Sequence, residues 1–279
     1  MHAGDYHPFS DGERLKIGER WRRFYAAWDW IVSPEFTGHE HVEAERPSLW
    51  VGNHSILAFA DASLMMRELY LRHGIVMRSL GQHAHFRIPG WGPWLVANGA
   101  VDGTRENCAA MMRAGEHILV YPGGGGEVMK RQGEQHTLRW KHRTGFARMA
   151  IENNYPIQPF ATVGADDCWD ILYDNSRLQD TRLGRWLLEH TDLKAEELPP
   201  VLKGFGPTLL PKPQRMYFRF FPPVYPEEFR RLPIEEGALA LRNRVEAIVS
   251  GGLRDLLAER ERDPKRELRV RIAGRMRGE

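Results

Sequence analysis

Three short segments in the first half of the chain hold residue types that can act together. Gly52-Asn53-His54-Ser55 is followed by Asp61. Gly103-Thr104-Arg105-Glu106-Asn107 comes next, and Tyr121-Pro122-Gly123-Gly124-Gly125-Gly126-Glu127 closes the series. A neutral imidazole accepts a proton near pH 7 because its pKa lies close by. A carboxylate such as Asp61 can accept from the other ring nitrogen and fix the tautomer. The forked donors of Arg105 match phosphate oxygens. Gly123, Gly124 and Gly125 allow close backbone approach and offer N–H donors to an oxyanion. Glu127 can bond an acceptor hydroxyl or brace the loop. A base, an anion site and a row of N–H donors suit transfer of an acyl group from an anionic carrier to an alcohol.

Rival chemistries fit less well. No Gly-Lys-Ser/Thr follows the glycines, so the P-loop reading fails. A dinucleotide fingerprint has the wrong spacing and would belong at the first strand. His83 and His85 with His54, Asp61 or Cys108 match no structural zinc pattern, so no metal is expected. No serine or cysteine with a nearby base suggests a covalent nucleophile. Cys108 and Cys168 read as reduced structural thiols.

Elements must bring these segments to one place. Apolar runs at Ser48–Asn53, Ile75–Arg78, His117–Tyr121, Ile157–Val163 and Met216–Phe221 read as strands. Helical patterns cover 57–73, 104–114 and 143–153, with a closing helix pair over 232–257. Strands alternating with helices imply an α/β fold, a largely parallel central sheet flanked by helices. Pro89-Gly90-Trp91-Gly92-Pro93-Trp94 suits a turn and short helix, a wall for a substrate groove. Thr181 to Leu210, with Pro199-Pro200 and Pro207, reads as an irregular insertion: a lid, an acceptor-selecting element or plain connection.

The N-terminal pattern is different. Ile17, Trp21, Phe24, Tyr25, Trp28, Ile31 and Val32 recur at helical steps, opposite Lys16, Glu19, Arg20, Arg22 and Arg23. An amphipathic helix of aromatic and arginine faces can lie in a membrane interface. Residues 1–45 are therefore expected as a membrane-associating segment, 46–257 as the catalytic domain and 258–279 as a charged tail. That tail reads as a solvated helix, or as a patch attracted to anionic lipid.

The order of blocks resembles the glycerolipid acyltransferase superfamily, the lysophospholipid acyltransferases. Its His…Asp pair, Gly-x-Arg block, Pro-Glu-Gly-type block and proline-containing strand are matched by His54…Asp61, Gly103-Thr104-Arg105, Tyr121 to Glu127 and Tyr155-Pro156-Ile157-Gln158-Pro159. The chain is most similar to bacterial relatives of the mono- and diacylglycerol acyltransferases, through Tyr121-Pro122-Gly123-Gly124, Thr144 to Arg148 and Val163 to Asp167. The resemblance implies His54 as base with Asp61 as partner, Arg105 and more weakly Arg143 on phosphate, and no cofactor beyond the acyl-CoA donor. Acyl carrier protein is the less favoured donor. The acceptor it implies is a lipid alcohol: an acylglycerol, a long-chain alcohol or a lysophospholipid. The glycine extension in place of an acidic Pro-Glu-Gly leans toward a neutral acceptor. One departure is plain: the superfamily's usual His–Asp spacing is shorter, and here Ser55 to Ala60 intervene.

Composition bounds the rest. The 279 residues are 42% hydrophobic and 27% charged, enough for one large core and too charged for many membrane spans. No apolar run reaches about eighteen residues, the length a spanning helix needs, and the N-terminus lacks a secretory apolar stretch. The expectation is a cytoplasmic enzyme held at the inner face of the cell membrane. A net charge of +2 gives no reason to expect nucleic acid, and nothing fixes the oligomeric state. A hydrolase on the same scaffold and a non-catalytic lipid-binding protein are the alternatives.

Overall fold

The computed structural model describes residues 4–57, 59–190, 198 and 200–277. The chain begins with helices α1 (Asp11–Phe24) and α2 (Ala26–Val32), then strands β1 (Glu35–Thr37) and β2 (Leu49–Val51). Next come α3 (Phe59–His73), β3 (Arg78–Gly81), α4 (His83–Phe86), α5 (Trp91–Ala97), β4 (Ala100–Asp102), α6 (Arg105–Arg113) and β5 (Ile118–Val120). The glycine segment leads into α7 (Gly125–Val128), followed by α8 (Gly145–Glu152) and β6 (Ile157–Val163). β7 (Asp170–Tyr173), α9 (Asn175–Leu178), α10 (Arg182–His190), β8 (Val201–Lys203), β9 (Tyr217–Phe220), α11 (Ile234–Arg262) and α12 (Leu268–Met276) complete it.

Seven strands form one sheet in the order β1-β9-β6-β2-β5-β3-β4. From β6 to β4 every pairing is parallel. β9 pairs antiparallel with β6, and β1 parallel with β9. β7 and β8 make a separate two-stranded antiparallel sheet. A parallel sheet is covered on both faces, so its strands read as unbroken apolar runs. β2 and β6 are buried along their whole length. Their side chains alternate between two cores. Leu49 and Val51 join the α8 and α11 side, and Trp50 joins Leu64 and Leu69 of α3 on the other.

The fold agrees with the α/β sheet expected, with instructive differences. The strand expected at 75–78 begins at Arg78, because Ile75, Val76 and Met77 are buried in the connection out of α3. β4 precedes the helix expected from 104 and was not among the strands read from the sequence. The closing helix pair is one helix of 29 residues. Gly251-Gly252 does not break it, because the second glycine admits Phe221 and Ala161 where a Cβ would sit. The insertion over Thr181–Leu210 contains α10, β8 and a tight turn; 191–197 and Pro199 lie outside the described residues.

The largest difference is at the N-terminus. α1 starts at a capping box, with Ser10 and Glu13 bonding each other's backbone N–H. Ile17 and Trp21 then sit in the core against α3, and Gly18 packs directly on the ring of Tyr70. Trp28 is half-buried and donates Nε1–H to the Ala60 carbonyl at 3.0 Å. The aromatic stripe read as one membrane face is therefore split. Trp21 is 2% exposed, while Phe24 is 70% and Trp30 60% exposed. Arg271 of the charged tail is likewise buried, bonding the carbonyls of Lys265 and Arg266. No helix among the described residues is long and apolar enough to cross a membrane.

Truncating a large core aromatic costs about 3–5 kcal/mol, whereas surface changes stay within about 0.5 kcal/mol. Trp21→Ala should accordingly shift the urea midpoint strongly and Phe24→Ser hardly at all. The reverse order would place α1 outside the core.

Candidate active site

The parallel strands deliver their carboxyl ends to one edge of the sheet. Gly52-Asn53-His54 leaves β2, Gln82-His83 leaves β3, Gly103-Thr104-Arg105 leaves β4, Tyr121 to Glu127 leaves β5, and Gly164 to Asp167 leaves β6. Ligands of open parallel sheets bind at this edge. All three chemical segments are therefore brought to the same side of the molecule.

The His54 turn is fixed from beneath. Gly52 lies against Phe160 with no room for a Cβ. The buried Asn53 side chain exchanges two hydrogen bonds of 2.9 Å with the Thr162 backbone, extending the ladder to β6 by side chain. His54 is half-buried, its ring 4.2 Å from that of Tyr121. Its Nδ1 lies 2.8 Å from the Ser55 carbonyl. A carbonyl only accepts, so in the neutral ring Nδ1 carries the proton and Nε2 keeps its lone pair.

Asp61 stands in the first turn of α3 and is buried. Its Oδ1 accepts from the Ser55 hydroxyl at 2.8 Å and the Ala62 N–H at 2.9 Å. Among the described residues it makes no hydrogen bond to the His54 ring. The direct pair expected from sequence becomes a link through Ser55: the wider spacing lets a turn, with Leu57 at φ 54°, run between base and helix. A direct His–carboxylate bond does occur at the ends of β3 and β4, His83 Nδ1 to Asp102 Oδ2 at 2.5 Å, but His83 is exposed.

The glycine loop is braced by Arg143. Nη1 donates to the Pro122 carbonyl at 3.1 Å and the Gly123 carbonyl at 2.6 Å. Gly124, at φ 50°, closes a turn by donating to Tyr121 O at 3.0 Å. The N–H groups of Gly123, Gly125 and Gly126 make no hydrogen bond among the described residues. Arg143, expected as a phosphate ligand, thus holds the loop itself. Arg105 opens α6, which Thr104 caps through the Asn107 N–H at 3.1 Å. Gly103 donates to Gly81 O at 2.9 Å. Arg105 is exposed and makes no hydrogen bond or ion pair with the described residues.

Burial sets the protonation states. The His54 pKa is lowered to about 4, by burial first and with help from the Lys130 ammonium, against the Ser55 carbonyl and Asp166. Burial raises Asp61 to about 7, against the Ser55 hydroxyl and Ala62 N–H. Glu127 is fully buried and also raised to about 7 by desolvation. Its Oε1 accepts from the Arg139 N–H at 3.2 Å. Oε2 has no hydrogen-bond partner; the His54 N–H favours the ionised form without completing a bond. Burial likewise lifts the Tyr121 hydroxyl well above 10. Among the described residues no group of three His, Cys, Asp or Glu side chains is arranged to hold a metal.

Two residues at the site were missed from sequence. Lys130 Nζ donates to His54 O at 2.8 Å and to Asp166 Oδ2 at 2.6 Å, and both side chains are fully buried. Lys130 opens a charged stretch that reads as surface. Asp166 lies in the Val163 to Asp167 stretch that carries the resemblance, but no role was read for it there; it stands just past the end of β6, the strand beside β2.

Comparison with known proteins places this geometry. A family model described as Acyltransferase matches residues 33–163. The 1-acyl-sn-glycerophosphate acyltransferase PlsC of Thermotoga maritima shares the fold, with a TM-score of 0.55 over 88% of this chain and 80% of that one, at 17% identity. The chain is 31% identical over 183 residues to the human "DGAT1/2-independent enzyme synthesizing storage lipids", 66% of this chain and 53% of that protein. It is 29% identical over 250 residues to the Arabidopsis thaliana chloroplastic phytyl ester synthase 2, 84% of this chain and 35% of the relative. It thus spans about half of the first relative and a third of the second. Residues 33–163, a little under half of the chain, are thus similar to the acyltransferase family.

The Glu127 pKa supports a pH test. A folded-state pKa near 7, above the ordinary 4.5, means the folded protein holds a proton the unfolded chain releases. Its contribution to stability is full below about 4.5 and lost as pH rises through about 7. Glu127→Gln should thus gain on wild type between pH 5 and pH 8 in urea unfolding. An equal difference at both values would mean the carboxyl is not desolvated.

Proposed function

We propose that the protein transfers a fatty acyl group from acyl-CoA to the hydroxyl of a neutral lipid alcohol, with His54 as general base. The observation that carries this is the neutral, half-buried His54 ring with Nδ1–H on the Ser55 carbonyl and Nε2 unprotonated, beside a glycine loop with free N–H groups. Nε2 takes the proton of the acceptor hydroxyl as its oxygen attacks the thioester carbon. The tetrahedral oxyanion is met by N–H groups of the glycine loop. The C–S bond then breaks, and the proton on His54 passes to the thiolate of coenzyme A. Asp61 acts through Ser55, accepting from the hydroxyl of the residue whose carbonyl fixes the tautomer. Arg105 receives a phosphate of the carrier. The names of the relatives, storage lipids and phytyl esters, support a neutral acceptor.

A lipid acceptor makes a bilayer surface the expected partner, reached peripherally. Phe24 and Trp30 are the exposed N-terminal aromatics that could touch it, Trp30 with the Arg275 guanidinium over one face at 4.2 Å. In vesicle flotation, Phe24→Ser with Trp30→Ser should weaken binding; unchanged flotation would move the contact elsewhere.

General bases contribute about 10²–10⁴-fold. With acyl-CoA and a panel of lipid alcohols, His54→Ala should lose at least about 100-fold in kcat while unfolding like wild type. Retention of a tenth of the rate would end this mechanism, and release of free fatty acid independent of any alcohol would point to a hydrolase. Arg105→Ala should raise KM for acyl-CoA, since a charge-assisted hydrogen bond is worth about 1.5–3 kcal/mol. A short thioester lacking the coenzyme A phosphates should not distinguish it from wild type. An equal loss on both donors would remove Arg105 from the phosphates.

A further inference from the structure

A buried ion pair is an unusual component of an interior. Two apolar side chains of similar volume commonly stabilise as well or better, and a lone member is costly. Lys130 and Asp166 are fully buried, and their geometry serves a purpose other than packing. Lys130 Nζ holds the His54 carbonyl at 2.8 Å. Asp166 Oδ1 holds the Ile56 N–H at 2.8 Å, and the two charges meet at 2.6 Å. Asp166 Oδ2 also accepts the His136 N–H at 2.8 Å. The turn that presents His54 is thus gripped at two backbone points, one on each side of Ser55. Lys130 comes from the segment after β5 and Asp166 from the end of β6. One ion pair fastens the ends of three adjacent strands.

We propose that Lys130 and Asp166 are the positioning pair for the base, locking the His54–Ile56 turn so that the imidazole keeps its place over Tyr121 and its Nδ1 on the Ser55 carbonyl. This rests on His54 being the base. The pair does not touch substrate; it acts through the backbone of the turn. Misplacing a reacting group by about 1 Å costs about 100-fold in rate, so the clamp should show in kcat more than in KM. It should also show in the titration of His54. The groups facing that ring are Lys130, Asp166, Tyr121, His85, Glu127 and the Ser55 carbonyl. Lys130 and Asp166 act on it with opposite sign.

The test uses the full chain with Lys130→Met, Asp166→Asn and the double variant. Thermal unfolding, kcat, KM for acyl-CoA and the His54 ring titration by nitrogen NMR are measured, the His54 signals being those absent from His54→Ala. Each single variant should lose at least about 10-fold in kcat with KM for acyl-CoA within about twofold. The His54 midpoint should rise in Lys130→Met and fall in Asp166→Asn. The double variant removes both charges, so it should fold even where a single one does not. Its kcat should stay low, with a loss smaller than the product of the single losses. A folded double variant with wild-type kcat would overturn the proposal. So would an unshifted His54 midpoint in folded single variants. Full activity of His54→Ala would instead remove the base, and the NMR titration would still report whether the pair governs that ring.

Discussion

Removing His54, Asp61 and Glu127 from water at one edge of the sheet dictates where their protons and charges can sit. Charged forms lose solvation there, so the imidazole is driven neutral and both carboxyls toward the protonated form. Lys130 and Asp166 sit in the same environment, bonded to each other and to backbone groups. A neutral imidazole is the form that accepts a proton. The lowered pKa makes it available well below pH 7, at the cost of a weaker base. Among the carboxylates, Asp166 acts on the ring and favours its charged form.

Spacing explains how the carboxylate acts. With six residues between them, His54 belongs to the turn after β2 and Asp61 to the first turn of α3. A helix start offers N–H groups, and Asp61 takes that of Ala62 while holding the Ser55 hydroxyl. The ring therefore takes its tautomer from a backbone carbonyl, and Asp61 orients the residue that supplies it.

The sequence made legible what depends on local pattern. β2, β5 and β6 are short apolar runs buried on both faces, and each was found within a residue or two. The first and third chemical segments were placed at strand ends; the second follows β4, which was not read, yet all three share one edge of the sheet. What depended on tertiary packing was hidden. Trp21 and Phe24 look alike in an amphipathic stripe, yet one fills the core against α3 and the other faces solvent. β4 is three residues long and pairs only with β3, so it left no periodicity to read. Lys130 was lost because a lysine in a charged stretch is ordinarily solvated; only the fold brings Asp166 and the His54 carbonyl to it.

Arg143 sets the direction of the peptide planes in the glycine loop. In a trans peptide the C=O and the following N–H point in opposite directions. By holding the carbonyls of Pro122 and Gly123, Arg143 turns the N–H groups of Gly123 and Gly124 away from itself. The Gly124 N–H then closes the turn on Tyr121, and the Gly123 N–H has no partner among the described residues. The arrangement requires glycine at 124. Its φ of 50° is left-handed, and a Cβ there would stand 2.9 Å from the Arg143 Nη1. The glycine run therefore supplies conformational freedom and room for the guanidinium together. Any larger residue at 124 would push Arg143 off the carbonyls and free the peptide planes to rotate. The loop would then no longer hold its N–H groups in a fixed direction, the property that would let them stabilise an oxyanion if one forms there.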